Sequence, residues 1–244
     1  MKTVQSHYDQ FLGPVYSWIL GDFEIAKQRN DGFFESINLS PHENGIAVDL
    51  GCGPGCQSLP RASRGFNVLA IDFCQELLDE LDTRKGNAAI RTVCDDLTKF
   101  RSHMSEPAEL IVCMGDTLVH LPDIATVDAV IDDVCDSLAP GGKFIYAIRD
   151  YVTLVPEGPD RFVPIRASDE RIFTCFLDYK DEVVHVHDIL HRRVDGEWQT
   201  EISDYLKLRL HGEHLNARIG SRGLVITDQS MADGMIVVTA ERSE

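Results

Sequence analysis

The 244-residue chain is short of cations. It carries 23 lysines and arginines against 40 aspartates and glutamates, a net charge of −17. A field of that sign repels a phosphate backbone and an anionic membrane surface alike. The basic clusters, Arg192-Arg193 and Arg218 with Arg222, are short and lie among acids. Nucleic acid and membrane are therefore not expected as partners. Long apolar runs are missing too: Val15 to Leu20 falls far below the ~20 residues that a bilayer crossing takes. No charged segment leading into an apolar one marks a targeting signal. No internal repeat, low-complexity tract or linker divides the chain, and no G-x-S-x-G nucleophile elbow occurs. A disulfide framework is also lacking. The seven cysteines are odd in number and scattered through apolar stretches, which suits reduced thiols in a cytoplasmic protein.

What is present is an ordinary globular composition, 43% hydrophobic and 26% charged. From Gly45 to Asp150, apolar runs at Gly45–Leu50, Asn67–Asp72, Ala89–Asp95, Leu110–Met114 and Lys143–Arg149 predict strands. Helical spacing at Gln57–Arg64, Gln75–Arg84 and Ile124–Leu138 separates the earlier ones, with Pro60 inside the first of these helices, where it is tolerated if it falls early, and Pro140-Gly141-Gly142 as a turn. Strands apolar on both faces that alternate with helices imply βαβ units and a doubly wound, mainly parallel sheet. Val4–Leu20 and Phe23–Ile37 are predicted as N-terminal helices. Arg171–Tyr179, Val183–Arg193 and Trp198–Leu210 are predicted as an inserted antiparallel layer, and Leu224–Asp228 and Met235–Ala240 as two strands completing a sheet of seven. A single domain is expected: a helical cap over 1–44, a cofactor-binding core over 45–150, the insert over 151–210, and a closing helix and strands over 211–244.

The most informative stretch is Val48-Asp49-Leu50-Gly51-Cys52-Gly53-Pro54-Gly55, where a strand passes into a glycine-rich loop ahead of a helix. Dinucleotide loops space their glycines G-x-G-x-x-G and seat a pyrophosphate at the helix N-terminus. Here the third glycine comes one residue early, and Cys56 holds the dinucleotide position. Asp49 at the strand end would repel a pyrophosphate but suits an amino-acid ammonium group. Asp72, 23 residues on, ends the next strand, where an acid accepts ribose hydroxyls. The implied ligand has a ribose and a cationic amino-acid end, without phosphate.

These residues, with Cys94-Asp95-Asp96-Leu97, resemble the signature of class I S-adenosylmethionine-dependent methyltransferases, which implies a Rossmann-like fold and S-adenosylhomocysteine as product. The resemblance implies that Asp96, or alternatively Asp95, contacts the adenine amino group while Leu97 packs beside it. Gly51, Cys52, Gly53, Gly55, Phe73, Met114 and Gly115 complete the expected cofactor set.

A narrower resemblance lies in Leu110-Ile111-Val112-Cys113-Met114-Gly115-Asp116-Thr117-Leu118-Val119-His120-Leu121-Pro122-Asp123 and Ile148-Arg149-Asp150-Tyr151, which are similar to strand ends of glycine N-methyltransferases. It implies that Arg149 holds an acceptor carboxylate and that His120 lies by the cofactor's methionine part. Asp116 stands where that group usually has asparagine, which puts glycine itself in doubt and favours an amine or zwitterion. The three expected catalytic residues are thus Asp116, His120 and Arg149, with Tyr8, Asp116, Arg149 and Tyr151 on the acceptor side. Tyr8, Tyr16 and Trp18 are expected to meet the sulfonium through their ring faces, or else to pack as core. His185, His187 and His191 lack a carboxylate or cysteine cluster to complete a metal site, so no metal is expected. Methyl transfer to a small molecule, chiefly at an amine nitrogen, is the function expected. O-methylation and a non-catalytic S-adenosylmethionine sensor are the alternatives, and homo-oligomerisation stays open.

Overall fold

The computed structural model describes residues 3–232 and 234–243. Seven strands form one sheet in the order β10-β11-β5-β4-β1-β2-β3: β1 (Ile46–Leu50), β2 (Asn67–Asp72), β3 (Ile90–Cys94), β4 (Ala108–Cys113), β5 (Leu138–Arg149), β10 (Leu224–Ala232) and β11 (Met235–Arg242). Strands β1 to β5 run parallel, and β11 lies antiparallel between β5 and β10. The chain winds from β1 outward through β2 and β3, then returns to place β4 on the other side of β1. That reversal opens a crevice at the carboxyl ends of β1 and β4, where open α/β sheets bind ligands. Every residue of β4 is buried and nearly all of β1 and β2, as helices on both faces require. Helix α6 (Ile124–Ser137) shows the cause, since Val127, Val130, Ile131 and Val134 line its inner stripe.

A second, four-stranded antiparallel sheet follows β5: β6 (Phe162–Ala167), β7 (Arg171–Tyr179), β8 (Val183–Val194) and β9 (Glu197–Leu208). The hydropathy pattern does not predict β6. Pro164 interrupts it and its register shifts between Pro164 and Arg166, features that only an edge strand tolerates. The turn expected at Pro140-Gly141-Gly142 lies inside β5, whose pairing with β4 shifts register between Ala108 and Leu110. Gly142 is needed there, because a Cβ would meet the carbonyl oxygen of Ala139 at 2.8 Å.

The N-terminal helix is not continuous. α1 (Val4–His7) passes through a π-helical turn, Tyr8–Leu12, into α2 (Gly13–Leu20), with α3 (Phe23–Ser36) behind it. The wide turn has a local cause: Pro14 has no N–H and crowds the preceding turn, and Gly13 N–H reaches back five residues to Tyr8 O. Helices α4 (Ser58–Ser63), α5 (Gln75–Lys85) and α7 (Gly212–Ser221) complete the structure, with Pro60 in the first turn of α4. No helix among the described residues is long and apolar enough to cross a membrane. All seven cysteines are free thiols.

Candidate active site

A cavity of about 700 Å³ opens over the carboxyl ends of β1, β2, β3 and β4, under α1 and the Tyr8 turn. The glycine loop forms its floor, and its three glycines do different work. Gly53 (φ +50) leaves open space, the nearest atom to a Cβ there being Tyr16 Cε1 at 4.0 Å. Gly51 (φ +73) also lines the cavity, but a side chain on it would collide with Thr117. Gly55 (φ +95) lies outside the lining, and a Cβ there would strike Leu81 of α5. Only Gly53 is thus kept bare on the ligand's side. Gly51→Ala is expected to destabilise the protein by ~2–3 kcal/mol, from overpacking and a left-handed backbone. An unchanged thermal midpoint would contradict the packing assigned to Thr117.

Asp72 ties the loop to β2. Its Oδ2 accepts from Gly53 N–H (2.8 Å) and its Oδ1 from Cys74 N–H (2.9 Å). Burial raises its pKa to about 6, against the pull of those two N–H groups. Each carboxylate oxygen has a second lone pair, so two further donors can be accepted, which is what a vicinal diol offers. Phe73, Cys52, Met114 and Gly115 line the cavity as expected. So do Asp95, Asp96 and Leu97. Both oxygens of Asp95 are engaged, by Lys99 (3.0 Å) and His103 (2.9 Å), and these bonds hold its carboxyl down at about 2. Asp96 caps the 3-10 turn Leu97–His103 through Oδ1, leaving Oδ2 available. Of the two acids, Asp96 keeps one carboxylate oxygen with no donor on it, whereas both oxygens of Asp95 already carry one.

Asp49 does not face the cavity. It is buried against the Arg61 guanidinium of α4 and the Ser58 hydroxyl, so its expected role toward an ammonium group fails. Arg61 is itself fully buried over the Phe34 ring, and burial lowers its pKa despite Asp49. Its Nε and Nη1 have no hydrogen-bond partner. Trp18 also lies off the cavity, packed beneath Arg166 and Arg171. Tyr8 and Tyr16 do line it, with ring centroids 6.1 Å apart, and Tyr8 meets Phe73 edge-on at 5.3 Å. Burial keeps both phenols protonated, pushing Tyr16 up to about 12.

At the acceptor end, His120 lines the cavity from the 3-10 turn Leu118–His120, between the rings of Tyr8 (5.9 Å, edge-on) and Tyr205 (5.5 Å, stacked). Its Nδ1 is buried without a hydrogen-bond partner. Burial, then the Lys207 ammonium, lowers its pKa to about 3. Asp116 and Tyr151 stand behind the wall rather than in it. Asp116 (φ +71) accepts from Arg149 N–H (2.9 Å), Tyr151 OH (2.7 Å) and Lys207 Nζ (2.7 Å). Burial works against ionisation, but the Lys207 ammonium and the Arg149 N–H outweigh it and hold the carboxyl below its ordinary value. Arg149 contributes its backbone only. Its side chain is exposed, with Nη1 3.4 Å from where a Cβ on Gly234 would sit, so the expected grip on an acceptor carboxylate is not supported. Lys207, from β9, is the buried cation of this end, and nothing local in the sequence marks it. Among the described residues, no group of three or more side chains converges as a metal site; His185 is bonded to Asp204 instead.

The lining carboxylates are Asp72, Asp95 and Asp96, and its one ammonium, Lys99, is already paired. A pyrophosphate is disfavoured there and a cationic nucleoside is favoured. Residues 47–142 match the family model described as a methyltransferase domain. A glycine/sarcosine N-methyltransferase of Aphanothece halophytica is 26% identical over 68% of this chain and 61% of its own. A ubiquinone biosynthesis O-methyltransferase of Methylococcus capsulatus is 31% identical over 41% of this chain and 42% of its own. The chain thus spans about half the length of these curated relatives. The solved structure of CalS10 with S-adenosylmethionine, an amino pentose methyltransferase from Micromonospora echinaspora, superimposes with TM-score 0.70 at 16% identity, covering 100% of this chain and 99% of that one. The matched span carries both the acid-lined floor and the β4 end of the cavity, and over it the chain is similar to S-adenosylmethionine-dependent methyltransferases, whose fold it shares.

Proposed function

We propose that this protein transfers the methyl group of S-adenosylmethionine to an amine nitrogen of a small acceptor, beside His120. The observation that carries the reading is the His120 Nδ1: buried, unpartnered and on the cavity wall. When bound, the cofactor supplies an activated methyl group and departs as S-adenosylhomocysteine. Asp72 would accept the ribose hydroxyls and Asp96 Oδ2 the adenine amino group. Tyr8 and Tyr16 offer ring faces to a sulfonium and hydroxyl donors to its surroundings.

Nitrogen is favoured over oxygen by what the site lacks in basicity. An ordinary phenol (pKa ~10) sits about 7 units above His120, a ~10 kcal/mol barrier to full deprotonation. Asp116 has its oxygens committed to three donors. A neutral amine needs no prior deprotonation. Its N–H donates to His120 Nδ1, which directs the nitrogen lone pair toward the methyl carbon, and the proton leaves to water after transfer. The amine reacts in its neutral form, with the nitrogen lone pair free. The free thiols support a reducing compartment such as the cytoplasm.

The test is incubation of a metabolite extract with labelled S-adenosylmethionine and mass spectrometry of the labelled product. A label found only on oxygen rejects the amine reading. Cofactor binding with no label transferred supports a binding protein without catalysis instead. With the acceptor in hand, His120→Ala is expected to lower kcat about 100-fold while cofactor Kd changes little, and His120→Asn to recover part of it. Unchanged turnover in His120→Ala removes the histidine from the mechanism.

A further inference from the structure

The cavity over the sheet has two ends of unlike chemistry. β2 and β3 lie on one side of β1 and β4 on the other, so Asp72 and Asp96 mark one end and His120 the other. The His120 end is walled by Val4 of α1, by Leu121 and Pro122 directly after His120, and by Val183, Leu206 and Leu208 of the second sheet. This wall is tied to the histidine: Val183 pairs with Leu208 across β8 and β9, and Tyr205, next to Leu206, stacks on the His120 ring. Thr3 and Gln5 line it too, but both are exposed and stand at its mouth.

This end offers no cation. Arg149 is outside the lining, and Lys207 Nζ lies behind it, bonded to Asp116 (2.7 Å) and to Tyr151 OH (3.0 Å). Among the described residues that line the cavity, Lys99 is the one lysine or arginine, and it is paired with Asp95 at 3.0 Å.

We infer that the acceptor is an amine with an apolar body and no carboxylate, an arylalkylamine being the simplest case; this rests on the amine reading of the same site. An amino acid must lose its ammonium proton before its nitrogen can attack, and what remains is a net anion. Its carboxylate would be buried in a cavity lined by Asp72, Asp95 and Asp96, with no unpaired cation to meet it. The cofactor's own carboxylate does not carry this penalty, because the ammonium beside it stays protonated. An apolar body has nothing to leave unpaired. It gains from the area that the wall removes from water, while one polar group, His120 Nδ1, orients the nitrogen.

Calorimetry on the whole chain saturated with S-adenosylhomocysteine tests this with 2-phenylethylamine and phenylalanine, which differ by one carboxylate. The amine is expected to bind about 100-fold more tightly. With labelled S-adenosylmethionine, 2-phenylethylamine should gain the label on nitrogen while phenylalanine, glycine and sarcosine stay unlabelled. Leu206→Asn, close in volume but polar, should weaken binding of the amine about tenfold. Should that variant not fold, the pair of ligands on the wild type still decides. Phenylalanine bound as tightly as the amine, an amine that does not bind, label on glycine, or a folded Leu206→Asn with unweakened amine binding each overturns the inference. Binding of 2-phenylethylamine without methyl transfer supports the apolar, carboxylate-free subsite and counts against N-methylation instead, so the two readings fail separately.

Discussion

Lys207→Met is expected to lower stability by ~3–5 kcal/mol, the scale for removing one partner of a buried ion pair. For a chain of this length that is a fall of about 10 °C in thermal midpoint. The reason is what remains behind. Asp116 is 4% exposed and would keep two donors, Arg149 N–H and Tyr151 OH, but lose the only cation that offsets its desolvation. Asp116→Asn combined with Lys207→Met should recover most of the loss, since no uncompensated charge is then buried. Calorimetric midpoints of the two single variants and the double variant decide it. If the double loses as much as the sum of the singles, the pair is not coupled.

The same cluster explains why this chain has an aspartate after β4. Its carboxylate joins the loop after β4, the end of β5 through Arg149 N–H and Tyr151, and β9 through Lys207. An asparagine could not balance the Lys207 charge. Asp116 therefore docks the antiparallel sheet onto the core beside His120, and it holds a left-handed backbone (φ +71) to do so. The expected direct role of Asp116 toward an acceptor gives way to a positioning one. Its field and that of Lys207 act on His120 in opposite directions, and burial with Lys207 prevails.

The floor of the cavity was legible because it is local. Gly53, Asp72, Phe73 and Asp96 follow from strand ends and a glycine loop, and each belongs to a βα junction whose geometry is stereotyped. Asp49 misled because its partner is a side chain. Arg61 lies only 12 residues on, yet an arginine in a short helix reads as solvent-facing until packing turns it inward. Arg149 misled for another reason. Its backbone sits at the predicted strand end, but its side chain points away from the cavity, and Tyr151 two residues later reaches Asp116 instead. Lys207 was invisible, since 91 residues separate it from Asp116 and only the docking of the insert unites them. The π-helical turn that aims Tyr8 was also hidden, although Gly13-Pro14 marked the place.

Asp72 is the residue whose loss should most weaken cofactor binding. It would make two charge-assisted bonds to a ribose, each worth ~1.5–3 kcal/mol, so Asp72→Ala should reduce affinity for S-adenosylhomocysteine by ~100-fold or more in calorimetry. Titration of the wild type separates the carboxylate's charge from its shape. The folded pKa of about 6 lies above the unfolded value near 3.8, so the native protein takes up a proton between those limits. Protonation at this group favours the ligand-free fold: its contribution, ~3 kcal/mol, is fully present below about pH 4 and is lost as pH rises through 6. Ligand affinity should run the other way, falling as pH drops below 6, because the bound diol needs an ionised acceptor. Asp72→Asn should flatten both trends. Affinity that stays level from pH 7 to pH 5 in the wild type would mean that the ribose is held elsewhere.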